Sequence, residues 1–552
     1  MKRNIFKFSF VFFAATLVLA ACTKLEPKPY SGLTTEEYYK DSNSVNNAQD
    51  FVTTALIGFG NGEQTRIGNA AAFEMVDPLD RFGAIDGTPL YIKDAYQHNF
   101  KPALIRFDQM WITFYTGISK ANLTLSELAE LKNRPSRIIK VEAELKIARA
   151  FFFFHAMDCF GNIPLDTMLN ADPETVKTNS RMEVFNFIEK ELLNNIPLLD
   201  DRIAPNNRMN KFVANTLLAQ LYLNAKVYTG TPQWAKVIPA CDAVINSGKY
   251  KLTTNYFENF SGQNSKDENI LVSFREDIPG AGTNTFITEN LYDTGGPAVG
   301  IVGSPWNGFV GTAELYNVYQ SEDVRRRQWL VGPQRASASV TERAVDGIPN
   351  TGEELTGIDN KSKSRLVYNT NIRGFGYDPK IRTNPKDSQL MAGPRNVKYY
   401  PKRGGIVGTD LGNDYVIMRL ADVIMMKGEA QFRMGDIAGA IATINPVRAR
   451  GFGGKTNFNF TTLTIEDIRD ERTREFMQEN YARRDNIRFE DAGSAIKYWS
   501  GKAGEIRKDN GESFSPKKYL KDKEDGSINT RLYPIPVKQL ILNPKLVQNP
   551  GY

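Results

Sequence analysis

Histidine and cysteine are scarce in this chain. Two histidines, His98 and His155, and three cysteines, Cys22, Cys159 and Cys241, are spread over 552 residues. Two histidines cannot build an H-E-x-x-H site or any multi-histidine metal centre. Cys159 and Cys241 make no disulfide framework. Each lies in an apolar helical pattern and reads as a buried small hydrophobe. Long apolar runs are missing after the first 21 residues, so no later segment reads as a membrane span. G-x-x-x-x-G-K-S/T, G-x-S-x-G and a G-x-G-x-x-G between strand and helix are also absent, which removes the commonest phosphate, acyl-transfer and dinucleotide signatures. An excess of one charge sign is missing as well. The formal charge is +6, and it falls to +3 once the N-terminal Lys2, Arg3 and Lys7 are set aside. That balance gives no nucleic-acid footprint.

What is present begins with targeting. Lys2, Arg3 and Lys7 precede an apolar run ending at Ala21, the order of a secretory signal. Ala20 and Ala21 come directly before Cys22 in "LVLAACTK", which resembles the lipobox of bacterial lipoproteins. The resemblance implies cleavage before Cys22 and acylation of that residue, tying the body to a membrane surface. Residues 1–21 are then the signal peptide and 22–42 a polar, proline-containing tether.

Helical periodicity dominates much of the remainder. A helical segment is expected over about 45–59, and a Gly-rich loop region follows to about 107. "FDQMWITFYTGISKANLTLSEL" leads into "RIIKVEAELKIARAFFFFHAMDCFG". The second is apolar nearly all round and reads as a central buried helix ending at Gly161. Arg149 must be paired there, because an unpaired charge would be costly. Ser180 and Glu183 have capping-box spacing. "KFVANTLLAQLYLNAKVY" ends at Gly230, with Thr231 and Pro232 as N-cap and first residue of "QWAKVIPACDAVINSG". "YVIMRLADVIMMKGEAQFRMG" and "IAGAIATINPVRARG" form a late pair around Asp436, and Ala225, Ala430 and Ala440 suit close crossings. These pairs resemble tetratricopeptide units but are scattered, and an ordinary helical domain explains them equally well. The expectation is one mainly α domain over 43–552. Its helical scaffold spans 43–250 and 414–552, with a large loop-rich, mixed insertion at about 251–413 that carries function.

Catalytic chemistry is weakly signalled. His155 reads as a satisfied core residue, and His98 is a lone loop histidine. In "IEDIRDERTREFMQENYARRDNIRFED", Glu471, Glu475 and Glu479 fall four apart on one helical face, among six arginines. Local Glu–Arg pairs lacing a helix to its neighbours explain this run better than a carboxylate active site does.

Several stretches together resemble the SusD/RagB family of Bacteroidetes outer-membrane lipoproteins. They are the lipobox, "WITFYTGISKAN", "EAELKIARAFFFFHAMDCFGNIPL", "DYVIMRLADVIMMKGEAQFRMGD", "INPVRARG", "DERTREFMQENYARRDNIRF" and the closing "LYPIPVKQLILNPKLVQNPGY". Asn480 and Asn486 depart from the family's usual Gly and Leu. The resemblance implies a surface lipoprotein beside a SusC-like TonB-dependent transporter, facing the extracellular side. It would bind a nutrient, usually a glycan and sometimes a peptide, with no cofactor, metal or catalytic residue. Family ligands are held by loops with aromatic platforms, and two loop regions here are comparable. One spans 77–107 and offers Asp80, Arg81, Asp86, Tyr91, Tyr96 and His98. The other spans 292–309 and offers Tyr292, Trp306 and Asn307. Trp306 leads these, since Gly303, Pro305 and Gly308 argue for an exposed turn; Trp111 is assigned to core. The competing readings are a surface glycoside hydrolase and a repeat-type protein-binding adaptor.

Overall fold

The computed structural model of the protein describes residues 35–41, 44–45, 47–48, 55–56, 58–60, 62–72, 74–75, 91–96, 100–168, 176–203, 207–262, 268–272, 284–357, 364–370, 391–489, 506–507, 513–514 and 531–552. The expected lipidation site Cys22 lies outside them, as do Asp80, Arg81, Asp86 and His98. Tyr91 and Tyr96 bound a short helix, but their side chains are outside the described set.

The fold is mainly helical, and among the described residues the strands form only two-stranded pairs with no closed sheet. Helix α1 is Glu63–Ala71. The longest two, α2 (Ile105–Ala129) and α3 (Ser136–Phe160), form an antiparallel hairpin. Helix α4 (Arg181–Asn195) packs on α3, and α5 (Lys211–Leu223) packs on α6 (Trp234–Ile245). Helix α7 (Leu420–Arg433) packs on both α6 and α8 (Ile437–Gly451). Two more, α9 (Ile465–Glu475) and α10 (Ala482–Phe489), complete the helical body.

Helix α3 is the core helix its composition calls for. From Val141 onward only Lys146 is not buried. Arg149 is paired, as burial demands. It donates to Glu191 Oε2 at 2.8 and 3.0 Å and to Asn122 Oδ1 at 2.8 Å, tying α2, α3 and α4 together. The helix stops at Gly161, whose φ of 72° lies in the left-handed region open to glycine. Its last carbonyls are met by the C-terminal tail. Tyr533 N–H donates to Cys159 at 2.8 Å, and Asn549 Nδ2 donates to Phe160 at 2.9 Å. The closing "PIP…QNPGY" segment thus supplies donors that a helix end lacks.

Cys159 and Cys241 are free and buried, and Trp111 is core, stacked on Tyr115. Ala225, Ala430 and Ala440 are fully buried. The Ser180–Glu183 capping box is complete, and Asp436 caps α8. Three expectations are corrected. Helix α6 begins at Trp234, because Thr231 and Pro232 finish the turn that starts at Gly230. The segment read as Gly-rich loop contains α1. Its buried face includes Gln64, Thr65 and Asn69, so apolar periodicity is faint there. Glu479 is not on the helix of Glu471 and Glu475, because α9 ends at Glu475 and Gln478 and Asn480 take left-handed conformations (φ 59° and 63°).

The loop-rich stretch is closed at its base. Strand β1 (Asn269–Val272), near its start, pairs antiparallel with β2 (Val416–Arg419), which leads directly into α7. The excursion therefore leaves and re-enters the helical body at one seam.

Candidate functional site

That seam holds the carboxylates singled out in the sequence. Arg419 is fully buried and donates to Glu268 Oε1 and Glu475 Oε1 at 2.7 Å and to Glu479 at 2.7 and 2.9 Å. Arg450 bridges Glu268 and Glu475, and Arg325 joins Asp323, Glu471 and Glu475. Arg448 and Arg474 meet Glu471, and Lys398 meets Glu479. Burial opposes ionisation of Glu475, but Arg450, Arg419 and Arg325 outweigh it and hold its carboxyl down at about 2. Burial pushes Lys398 down to about 8 against the pull of Glu479. Glu268, Glu471 and Glu475 are sealed from solvent and fully engaged with guanidinium groups. A general acid must reach substrate and hold a proton near neutral pH, and these groups do neither. They lace the excursion to α9, but the expectation of local pairs is corrected: of these pairs only Arg474–Glu471 lies within the run, and Arg325, Arg419, Arg448 and Arg450 come from other segments.

His155 is in the core, ringed by Phe59, Phe114, Phe151 and Phe154. Burial, reinforced by Arg484, lowers its pKa to about 3, so it stays neutral. Among the described residues its Nε2 has no hydrogen-bond partner, a departure from the expectation of a satisfied core histidine.

The exposed chemistry lies at the other end of the excursion, on two interlocked turns. Trp306 is 43 % exposed, and Val302 and Ile406, joined by a β-bridge between the two turns, are both more than half exposed. Val302 N–H donates to Gly405 at 2.8 Å, Val407 N–H to Val302 at 3.0 Å and Gly404 N–H to Gly300 at 2.8 Å, fastening residues 300–308 to 403–411. The Trp306 ring lies against Gly408, where a Cβ would stand 3.3 Å from Cζ2 and where φ is +74°. Only glycine suits both constraints. In the second turn Lys402 pairs with Asp410 at 2.6 Å, and Arg403 donates to Ser337 and Ser339. The exposed ring offers a face suited to stacking.

This turn is seated on the short helix Phe286–Asn290. Trp306 N–H donates to Thr288 at 2.7 Å, Gly308 N–H to Glu289 at 2.7 Å and Phe309 N–H to Glu289 at 2.9 Å. The Glu289 side chain in turn takes two bonds from Arg66 of α1, at 2.7 and 2.9 Å. Helix α1 is thereby tied to the helix that seats the Trp306 turn. The other residues expected beside Trp306 are corrected. Tyr292 is fully buried, and its backbone N–H meets Tyr368 Oη at 3.4 Å. Asn307 is buried with its amide turned inward to Arg395. Neither side chain offers a face to ligand. Sequence reading missed Val302, Ile406 and Gly408. The run "GGIVGTDLG", with glycines at 404, 405, 408 and 412, was the available signal for an exposed turn.

Residues 244–552 match the SusD family model, and residues 33–223 match a model described as starch-binding associating with outer membrane. The starch-binding protein SusD of Bacteroides thetaiotaomicron is 27% identical over 488 residues, covering 82% of this chain and 80% of that protein. Among solved structures, a SusD homologue from Bacteroides thetaiotaomicron superposes with a TM-score of 0.68 at 19% identity, covering 94% of this chain and 98% of the other. A laminarin-binding SusD-like protein superposes with a TM-score of 0.66 at 20% identity, covering 93% and 100%. These structural likenesses show the shared fold.

Proposed function

The chain belongs to the SusD family, and from that premise we propose that it is a cell-surface lipoprotein that captures a nutrient glycan and delivers it to a SusC-like TonB-dependent outer-membrane transporter. The carrying observation is Trp306, a large ring held open to solvent on a turn whose backbone is bonded on both sides. Sugars present C–H faces that stack on such rings and hydroxyls that neighbouring polar groups satisfy. One matched model is described as starch-binding, and relatives are named for starch and laminarin, which supports a glycan as the ligand class. Asp80, Arg81, Asp86, Tyr91, Tyr96 and His98 are proposed as further ligand contacts on the family resemblance of their region. Acylation of Cys22 anchors the body in the outer membrane, on its extracellular side, and the protein binds without turnover.

The test uses the chain from residue 23 onward with starch, laminarin, an acidic polysaccharide and a peptide pool. Trp306→Ala should weaken binding of the preferred glycan by about 1–3 kcal/mol, the scale of one lost aromatic stack, with no product released by either form. Binding of peptides alone would overturn the glycan assignment. Turnover would establish the hydrolase, and retention of an outer-membrane partner without any ligand would establish the adaptor. Mild-detergent purification of the full chain should recover a large barrel protein. Cys22→Ala should abolish the lipid mass on the mature chain.

A further inference from the structure

We propose that Asn307 and Arg395 are positioning residues for Trp306, and that ligand affinity depends on the fixed orientation they impose. The inference rests on the reading of Trp306 as the platform. Hydrophobic burial alone would place the indole inside and the amide outside. The turn does the reverse. Trp306 is substantially exposed while the adjacent Asn307 is only 3 % exposed. The reversal is made by the backbone of Asn307, whose φ of 54° lies in a region that non-glycine residues seldom occupy. Such conformations persist when the surroundings over-determine them, and bonds that do so are in place here. Asn307 N–H donates to Leu291 at 2.9 Å, and its Oδ1 accepts from Arg395 Nη1 at 2.8 Å.

Arg395 is wholly buried, and its guanidinium also donates to the carbonyls of Asn290 at 3.1 Å, Ala392 at 3.2 Å and Phe309 at 3.3 Å. It therefore grips the end of the supporting helix and the chain leaving the turn at Phe309 at once. Trp306 and Gly308, on either side of Asn307, are bonded to that helix as well. A plain loop anchor needs one buried side chain. This arrangement uses a buried cation and a strained amide to hold a ring out, which lowers the ordering cost when a ligand stacks on it.

The experiment labels the chain from residue 23 onward with 5-fluorotryptophan and reads 19F resonances. The five tryptophans give five signals, and Trp306→Phe identifies one of them. Asn307→Ala removes the acceptor and disfavours the left-handed backbone. It should shift or broaden the Trp306 signal, leave the other four in place, and weaken starch or laminarin binding roughly five- to tenfold, the scale of one lost hydrogen bond. Asn307→Asp keeps an acceptor for Arg395 and should retain both signal and affinity. Asn307→Gly accepts the backbone angle but lacks Oδ1, so it should still disturb the signal; it decides the question if the alanine variant does not fold. A Trp306 signal unchanged in both Asn307→Ala and Asn307→Gly overturns the positioning role. If Trp306→Phe and Trp306→Ala bind starch and laminarin as the unaltered chain does, the platform reading fails, while the 19F signal still decides whether Asn307 orders the ring.

Discussion

Arg419 and Arg395 are both fully buried, yet their bonds are of different kinds. Arg419, at the seam with the helices, bonds three carboxylates from two segments, Glu268 in one and Glu475 with Glu479 in the other, and one backbone carbonyl, that of Glu475. Among the described residues Arg395, beneath the exposed turn, bonds backbone carbonyls and one amide oxygen. Helices satisfy their own backbone, so ties between them are made by side chains, and here by charge. Loops leave carbonyls open, and a five-donor guanidinium can gather several of them. The helical seam is held by ion pairs that stabilise position without reaching solvent. Among the described residues, the acceptors that hold Arg395 under the loop face are neutral.

The contrast can be broken by removing each group in turn. Arg419→Met strands several buried carboxylates and should cost about 5 kcal/mol or prevent folding, read by denaturant unfolding. A loss below about 1 kcal/mol would erase the distinction. Phe152→Ala removes a fully buried ring from α3 and should cost about 3–5 kcal/mol, visible as an earlier melt with the folded spectrum intact. Glu74 sharpens the picture of the seam. It is buried and accepts from Gln478 N–H at 2.9 Å, and burial raises its pKa from 4.5 to about 8 despite that bond. Its carboxyl is protonated in the folded chain and ionised in the unfolded chain between those values. Folding takes up a proton there, so this group's contribution to stability falls as pH rises from about 4.5 to about 8. Glu74→Gln should flatten that decline, by roughly a few kcal/mol at the upper end. Parallel unfolding curves for the two forms across this range would refute the raised value.

Smaller effects belong to the loop face. Arg395→Met leaves neutral acceptors unbonded and should cost about 1–3 kcal/mol, less than Arg419→Met in the same denaturant series. Trp306→Ala should alter stability least, within about 0.5 kcal/mol, while reducing glycan affinity. A large drop in its melting temperature would make Trp306 an anchor instead of a platform.

The helical body was legible in the chain because its signals are local. The apolar surround of α3, the Ser180–Glu183 box, the Asp436 cap and the stop at Gly161 each depend on residues a few positions apart. The same locality made the closing "QNPGY" readable, while the lipobox lies outside the described residues. The site was legible only in part. Gly303, Pro305 and Gly308 announced an exposed turn, and Trp306 is exposed. Which neighbours join it was decided by tertiary structure. Tyr292 and Asn307 lie within fifteen residues of Trp306 but turn inward, while Val302 and Ile406 reach the surface from turns about a hundred residues apart. Glu471 and Glu475 announced Glu–Arg pairing, but their partners Arg325 and Arg419 are remote in sequence. Caps and periodicity are set by bonds spanning three or four residues. Exposure and charge pairing are set by whatever distant segment packs against a side chain, and no spacing rule within one stretch contains that information.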